Sequence, residues 1–211
     1  YPHPVSGVEH ISTATADVFL TGEKAYKTCK SVDFGFLTLT TLDQRKQHLE
    51  KECEHNKLIS PSIYETTIPI TEQDGVIKIG GEGGIIEYAL RMKQMDPQST
   101  GTHILGERDL LSEEIASLAV TLARFHSRAR TDNDITSYGS PEMIQYNWEE
   151  NFNQTKEDVG NLLTKEEYEF VKKRVVEFER RNKDLFLKRQ KEKKVRHCHG
   201  DIHLENVFFE K

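Results

Sequence analysis

The apolar residues of this chain change their period once, and nothing else in the sequence constrains the fold as much. Up to Met92 they fall in short runs of β-branched and aromatic character, broken by turn residues. From Leu110 onward they recur at about 3.6 residues, the period of an amphipathic helix. The first stretch is expected to be mainly sheet with one helix packed on it. Residues 18–21 and 24–29 read as two strands joined at Gly22-Glu23. Tyr64 to Ile70 and Val76 to Ile79 read as two more around the turn Gln73-Asp74-Gly75. Gly80 to Gly84 reads as a loop before a largely buried strand from Ile85 to Met92. A connection from Asp33 to Thr41 carries Phe34, Phe36, Leu37 and Leu39. A helix fits Leu42 to Ile59, with Leu42, Lys46, Leu49, Cys53 and Asn56 on one face and Ser60-Pro61 as its stop.

In the second stretch Ser112 is expected to cap a helix with the stripe Ile115, Leu118, Ala119, Leu122, Phe125, His126 and Ala129. Ser140-Pro141 opens another, with Met143, Tyr146, Asn147 and Phe152 inward and Glu142, Glu149 and Glu150 on its polar face. Thr164 to Glu167 is a capping box, and it opens a long helix in which Phe170, Val171, Val175, Phe178 and Leu185 face inward. The polar segment from Met92 to Gly106, with Pro97 and Gly101, reads as a hinge and cleft. The expected fold class is α+β, with a β-rich part over residues 1–92 and a helical part over residues 93–211.

A chain of 211 residues suits one domain built as two lobes and can bury a real core. No stretch approaches the roughly 18 apolar residues of a membrane span, so no membrane partner is expected. Tyr1-Pro2-His3-Pro4-Val5 is neither a basic n-region nor an apolar h-region, and without a starting Met the sequence reads as already trimmed. Cys29, Cys53 and Cys198 form no disulfide framework and fit a reducing, cytoplasmic setting. The net charge of −6 is uneven: Lys165 to Arg196 holds 13 basic and 7 acidic residues, which leaves −12 elsewhere. That run reads as a solvated helix face. It has few aromatics and no nucleic-acid motif, so nucleic acid is not the expected partner.

The sharpest chemical pattern is His199-Gly200-Asp201-Ile202-His203-Leu204-Glu205-Asn206. An Asp followed five residues later by an Asn is the spacing of a phosphotransfer loop: the Asp accepts a hydroxyl proton and the Asn holds a metal ion. Asn206 offers a hard amide oxygen suited to magnesium (Mg2+). His199 and His203 brace such a loop. A rival reading is zinc, because His197, His199, Asp201 and His203 would share one face of an extended strand beside Cys198. Gly200 and the backbone demands of a loop argue against a regular strand.

Phosphoryl transfer also needs a cation on the nucleotide phosphates, fixed by a helix carboxylate. Lys27, on the second expected strand, is the candidate; Glu52 on the following helix is its best partner, with Glu50 and Glu54 as alternatives. No G-x-G-x-x-G or Walker-type loop is present. Ser12-Thr13-Ala14-Thr15-Ala16 is the expected phosphate cover, through backbone amides and the small side chains of residues such as Thr13 and Thr15.

Together these segments resemble the aminoglycoside phosphotransferase-like branch of the protein-kinase-like superfamily, and most of all the bacterial phosphotransferase module often fused to a C-terminal P-loop ATPase. The resemblance is carried by Val18 to Gly22, Ala25-Tyr26-Lys27, Val32 to Leu37, Thr41-Leu42 with Arg45, Glu52 and Asn56, and Tyr88 to Met92. It continues through Leu122 to His126, Tyr138 to Pro141, Glu149 to Phe152 and His199 to Asn206. It implies a two-lobed kinase-like fold with ATP between the lobes. Lys27 would lie on the phosphates with Glu52 as partner, and the backbone of Arg91, Met92, Lys93 and Gln94 would meet the adenine. Asp201 would be the base and Asn206 a metal ligand. The family's second metal-binding Asp follows Val207-Phe208-Phe209, so the chain reads as cut through its metal site, with the helical lobe incomplete and a fused or partner ATPase domain outside it. The expected activity is phosphate transfer to a hydroxyl of a small molecule. A nucleotide-binding regulatory module without turnover and a protein Ser/Thr kinase are the alternatives.

Overall fold

The computed structural model describes residues 1–35 and 37–210. Phe36, counted above among the apolar residues of the first connection, and Lys211 lie outside the described residues. The fold is α+β: an N-terminal antiparallel sheet followed by helices. The chain forms two compact units, residues 1–125 with 199–211, and residues 126–198.

The sheet has six strands: β1 (Glu9–Ser12), β2 (Ala16–Leu20), β3 (Lys24–Cys29), β4 (Tyr64–Gln73), β5 (Val76–Ile79) and β6 (Gly84–Lys93). Their spatial order is β1-β2-β3-β6-β4-β5, every pair antiparallel. The expected strands are all present. β1 was not expected, because Glu9-His10-Ile11-Ser12 is exposed throughout and carries no buried alternation. The turn at Asp74-Gly75 closes the β4–β5 hairpin, with Asp74 at φ +54°.

Helix α1 (Leu42–Lys57) starts at a capping box that the sequence reading missed: Thr41 accepts from the Gln44 N–H and Gln44 accepts from the Thr41 N–H. Leu49, Cys53 and Asn56 are its buried residues, as their helical spacing requires. They meet the sheet at Cys29 and Leu90, with Leu39 of the preceding connection completing the core. Val32, Leu37, Tyr64, Tyr88 and Met92 pack around it. Burial pushes the Cys29 thiol up to about 11, so it behaves as an apolar group there. On the opposite face of β3, Tyr26 is buried beneath the rings of Tyr1 and His3.

β6 is only half buried. Ala89 and Leu90 are inaccessible, but Ile85 and Ile86 are exposed, contrary to the expectation for this strand. Pairing with β3 stops at Ala89, so the earlier half of β6 has β4 alone beside it, and α1 reaches that half at Glu87 and Tyr88, short of Ile85 and Ile86.

After β6 come a 3-10 turn (Pro97–Ser99), α2 (Gly101–Glu107) and α3 (Ser112–Arg128). Ser112 is itself helical; the Leu111 N–H before it is taken by the Glu114 carboxylate, which also grips Arg108. Phe125 is buried and meets His55 edge-on, and Leu118 and Leu122 are half-buried, whereas Ile115, Ala119 and His126 are exposed.

Residues 126–198 contain α4 (Asn133–Ser137), α5 (Pro141–Thr155) and α6 (Lys165–Lys191). The caps at Ser140 and Thr164 form as expected. The inward faces differ from those expected. On α5 the side turned to α6 runs through Gln145, Trp148 and Phe152, while Tyr146 and Asn147 are exposed. On α6, Val175 is half-buried and Phe170, Val171, Phe178 and Leu185 are exposed. A 27-residue helix beside a 15-residue one has too little neighbour to cover a second side.

Two stability outcomes follow from the sheet and its helix. Leu49→Ala is expected to destabilise residues 1–125 by about 2–5 kcal/mol, read by urea unfolding. Glu65 is held below the usual carboxylate range first by its hydrogen bond from Lys24 and also by Arg91. A lowered carboxylate contributes stability above its unfolded value near 4.5, and that contribution is lost as pH falls through the folded value. Glu65→Gln is expected to flatten the acid limb of a thermal-unfolding pH series below about pH 4.5, leaving the slope between pH 6 and pH 8 unchanged.

Candidate functional site

Lys27 and Glu52 are brought together by the core beneath them. Lys27 sits on β3 opposite Val18 and Leu90, and its Nζ lies 2.7 and 2.8 Å from the two carboxylate oxygens of Glu52. Of the three candidate partners on α1, Glu52 is the one that faces the sheet; Glu50 instead stands near Lys46, one helical turn back. Both members are partly shielded, with side-chain exposures of 26% and 18%. His48 lies 3.9 Å from the same carboxylate, and burial lowers its pKa below the usual histidine range.

The turn between β1 and β2 holds Thr13 and Thr15. The Thr13 hydroxyl accepts from the Ala16 N–H, and the Thr13 N–H donates to the Ala16 carbonyl. The Thr15 carbonyl accepts from the Lys30 N–H, and Lys30 Nζ donates to Ser12 Oγ and the Thr13 carbonyl. The turn is therefore braced by Lys30, the residue after β3, and the amides of Thr13 and Ala16 are spent internally.

Arg91, Met92 and Lys93 lie at the end of β6, between β3 and β4. Their backbone is engaged there: Lys93 N–H donates to the Ile63 carbonyl, and Gln94 N–H to the Glu23 carbonyl. The Arg91 guanidinium is held by Glu65, and Met92 packs against the core. Lys93 Nζ reaches Glu210 at 2.8 Å.

The loop at 199–206 folds on itself. Gly200 takes φ +82°, a left-handed conformation that side chains resist, and this reverses the chain between His199 and Asp201. His199 Nδ1 accepts from the Asp201 N–H at 3.3 Å. A 3-10 turn at Leu204–Asn206 carries Asn206 back to Asp201: its Nδ2 donates to the Asp201 carbonyl at 3.0 Å and to Asp201 Oδ2 at 3.2 Å. His203 Nε2 lies 3.0 Å from the same amide and 3.7 Å from Asp201 Oδ1. Asp201, Asn206, His199 and His203 thus form one connected group, and the Asp201 carboxylate is 75% exposed. Among the described residues no three His, Cys, Asp or Glu side chains converge as a metal-binding cluster, and the turn at Gly200 breaks the shared strand face that the zinc reading required.

Sequence reasoning missed what anchors this loop. The Gly101 N–H donates to the Val207 carbonyl, the Phe209 N–H to the Ser99 carbonyl, and Thr100 bridges Phe208. Gly101 is needed for contact: a Cβ there would stand 2.8 Å from Leu204 Cδ2 and 3.1 Å from the Leu204 carbonyl oxygen. Asp96-Pro97, where Asp96 caps the 3-10 turn leading to Gly101, was the one local signal. A cavity of about 220 Å³ adjoins the loop; Asn56 of α1, Thr121 and Leu122 of α3, and His199, Ile202 and Asn206 line part of it. Asn56 follows Glu52 by one helical turn, so α1 borders both the Lys27 pair and this cavity.

No family model matches the chain, and no solved structure gives a significant match. Uncharacterized proteins of Mycobacterium tuberculosis (strains H37Rv and CDC 1551) and Mycobacterium bovis are each 26% identical to it over 211 residues. These matches cover 98% of the chain but 40% of each relative, so the chain spans less than half the length of the curated relatives it matches.

Asn206→Ala removes the donor that ties the two ends of the loop together. Faster amide hydrogen exchange at residues 199–207 is expected, with global stability changed by only about 1 kcal/mol, since the lost bonds are exposed. Mass-spectrometric exchange on matched variants measures both.

Proposed function

We propose that this chain carries the phosphotransfer centre of an ATP-dependent kinase that acts on a hydroxyl of a small molecule, in the manner of aminoglycoside phosphotransferase-like enzymes. The observation that carries the reading is the joint placement of two groups. A carboxylate is offered to solvent by a loop whose own Asn returns to it, and a Lys ammonium is gripped by both oxygens of a helix carboxylate. Helix α1 supplies that carboxylate and, one turn on, lines the cavity beside the loop.

In this reading each residue has one task. Glu52 orients the Lys27 ammonium, and Lys27 neutralises charge on the nucleotide phosphates. The Asp201 carboxylate accepts the proton of the attacking hydroxyl as the hydroxyl's oxygen bonds to the γ-phosphorus, while the bond from that phosphorus to the bridging oxygen breaks and ADP leaves with the electron pair. His199 and His203 are positioning residues: His199 accepts from the Asp201 N–H, and His203 stands against the Asn206 amide. Asn206 suits Mg2+ by donor chemistry, since its amide oxygen is a hard neutral ligand beside a carboxylate. Bound there, the ion would supply charge neutralisation on phosphate oxygens. With the Arg91–Lys93 backbone engaged in the sheet, the adenine contact passes to the chain just beyond Gln94. The Thr13–Thr15 turn covers the phosphates through the Thr15 side chain and its remaining amides, while the Thr13 hydroxyl, bonded to the Ala16 N–H and carbonyl, holds the turn's shape. A fused or partner ATPase module remains the proposed neighbour.

ADP release measured over a panel of hydroxylated metabolites tests the assignment. Asp201→Asn is expected to lower turnover by about 10²–10⁴-fold while calorimetric ATP binding persists. Turnover equal to wild type in Asp201→Asn would sink the reading. ATP binding that ignores Mg2+, with no acceptor phosphorylated, would favour the nucleotide-binding module instead.

A further inference from the structure

Helix α6 has one flank covered and one open. Lys172, Val175, Glu179 and Phe186 line the groove it makes with α5. Along the rim of that groove, where the Phe178 ring stands 6.2 Å from that of Phe186, Val171, Phe178 and Leu185 lie seven residues apart and are 48%, 57% and 47% exposed. Seven residues are close to two helical turns, so the three form one line about 21 Å long. Beside each, three residues on, stands an exposed cation: Arg174, Arg181 and Lys188. Arg174 meets the half-buried Glu177 at 3.4 Å, and Lys188 meets the exposed Glu192, at the helix end, at 3.9 Å; the cations themselves are largely exposed, and such pairs hold a charge weakly. Glu177 and Asp184 lie a further step round the helix, beyond the cations.

Two features of this face identify its occupant. The apolar line is one residue wide and repeats every seven, the seam that a second helix packs against; a bilayer surface takes a broader apolar face. The rim is a ladder of cations at the same interval, complementary to carboxylates on a helical partner. A second copy running antiparallel would instead set cation ladder against cation ladder. We propose that the open face of α6 docks an acidic amphipathic helix, with the partner's apolar seam on Val171, Phe178 and Leu185 and its carboxylates against Arg174, Arg181 and Lys188.

The test uses the 211-residue chain and a labelled synthetic helical peptide about three heptads long, with leucine on its seam and glutamate on its flank. A twin peptide carries lysine in place of glutamate. Fluorescence anisotropy is expected to show binding of the glutamate peptide, weakened as salt rises. Phe178→Ser should reduce its affinity about tenfold or more. The double variant Arg174→Glu with Arg181→Glu should exchange the preference toward the lysine peptide. All three side chains are exposed, and circular dichroism checks that α6 persists. The proposal is overturned if the glutamate peptide has no advantage over its twin, or if Phe178→Ser binds as wild type does. A Phe178-dependent dimer in sedimentation, or Phe178-dependent capture by phosphatidylserine vesicles without peptide binding, overturns it equally.

Discussion

The packing of Leu49 and Cys53 of α1 onto Leu90 at the centre of the sheet determines where the candidate site residues of residues 1–125 can lie. Leu49 and Leu90 are wholly inaccessible, and Leu39 closes the same cluster. With that layer in place, the helix face beside it has no rotational freedom. Glu52 must meet β3 at Lys27, and Asn56 must look toward the loop cavity. Arg45 reinforces the arrangement by tying Glu87 of β6 to the Leu39 and Thr40 carbonyls at the start of the helix. A half-shielded ion pair such as Lys27–Glu52 is weak evidence for stability, because desolvating two charges offsets much of their attraction. Its two short contacts hold the ammonium in one orientation, which is the part the proposed reading gives it.

The loop at 199–206 obeys a different constraint. It has few apolar contacts of its own, so local turns and a strap shape it: Gly200 reverses the chain, the 3-10 turn returns Asn206, and pairing with Ser99, Thr100 and Gly101 holds the exit. The Asp201 carboxylate stays in solvent while its main chain is pinned on both sides. In the proposed reading that exposed carboxylate on a fixed backbone is the proton acceptor.

Residues 126–198 follow a third rule. Their caps are strong and their apolar stripes continuous, yet burial is sparse: Ala129 and Phe152 are the buried hydrophobics there among the described residues. Trp148, Phe152 and Tyr168 form the aromatic contact between α5 and α6, with the Tyr168 hydroxyl donating to the Phe152 carbonyl. Beyond that contact α6 runs on with its apolar line uncovered.

The sequence by itself determined what depends on neighbouring residues. The β3 strand, the α1 stripe, the Asp74-Gly75 turn, and the caps at Ser140 and Thr164 were legible because turns, caps and periodicity are short-range physics. So was the Asp201–Asn206 spacing. Only the tertiary structure decided which of Glu50, Glu52 and Glu54 meets Lys27, since that rests on the rotation of α1 over the core. It decided that β6 is buried in one half, because β3 pairs with that half alone. It decided that Phe170, Phe178 and Leu185 face outward, because periodicity marks an apolar face but says nothing of whether a neighbour covers it. And it placed Gly101 under Leu204, a contact between residues about a hundred positions apart that no local pattern encodes.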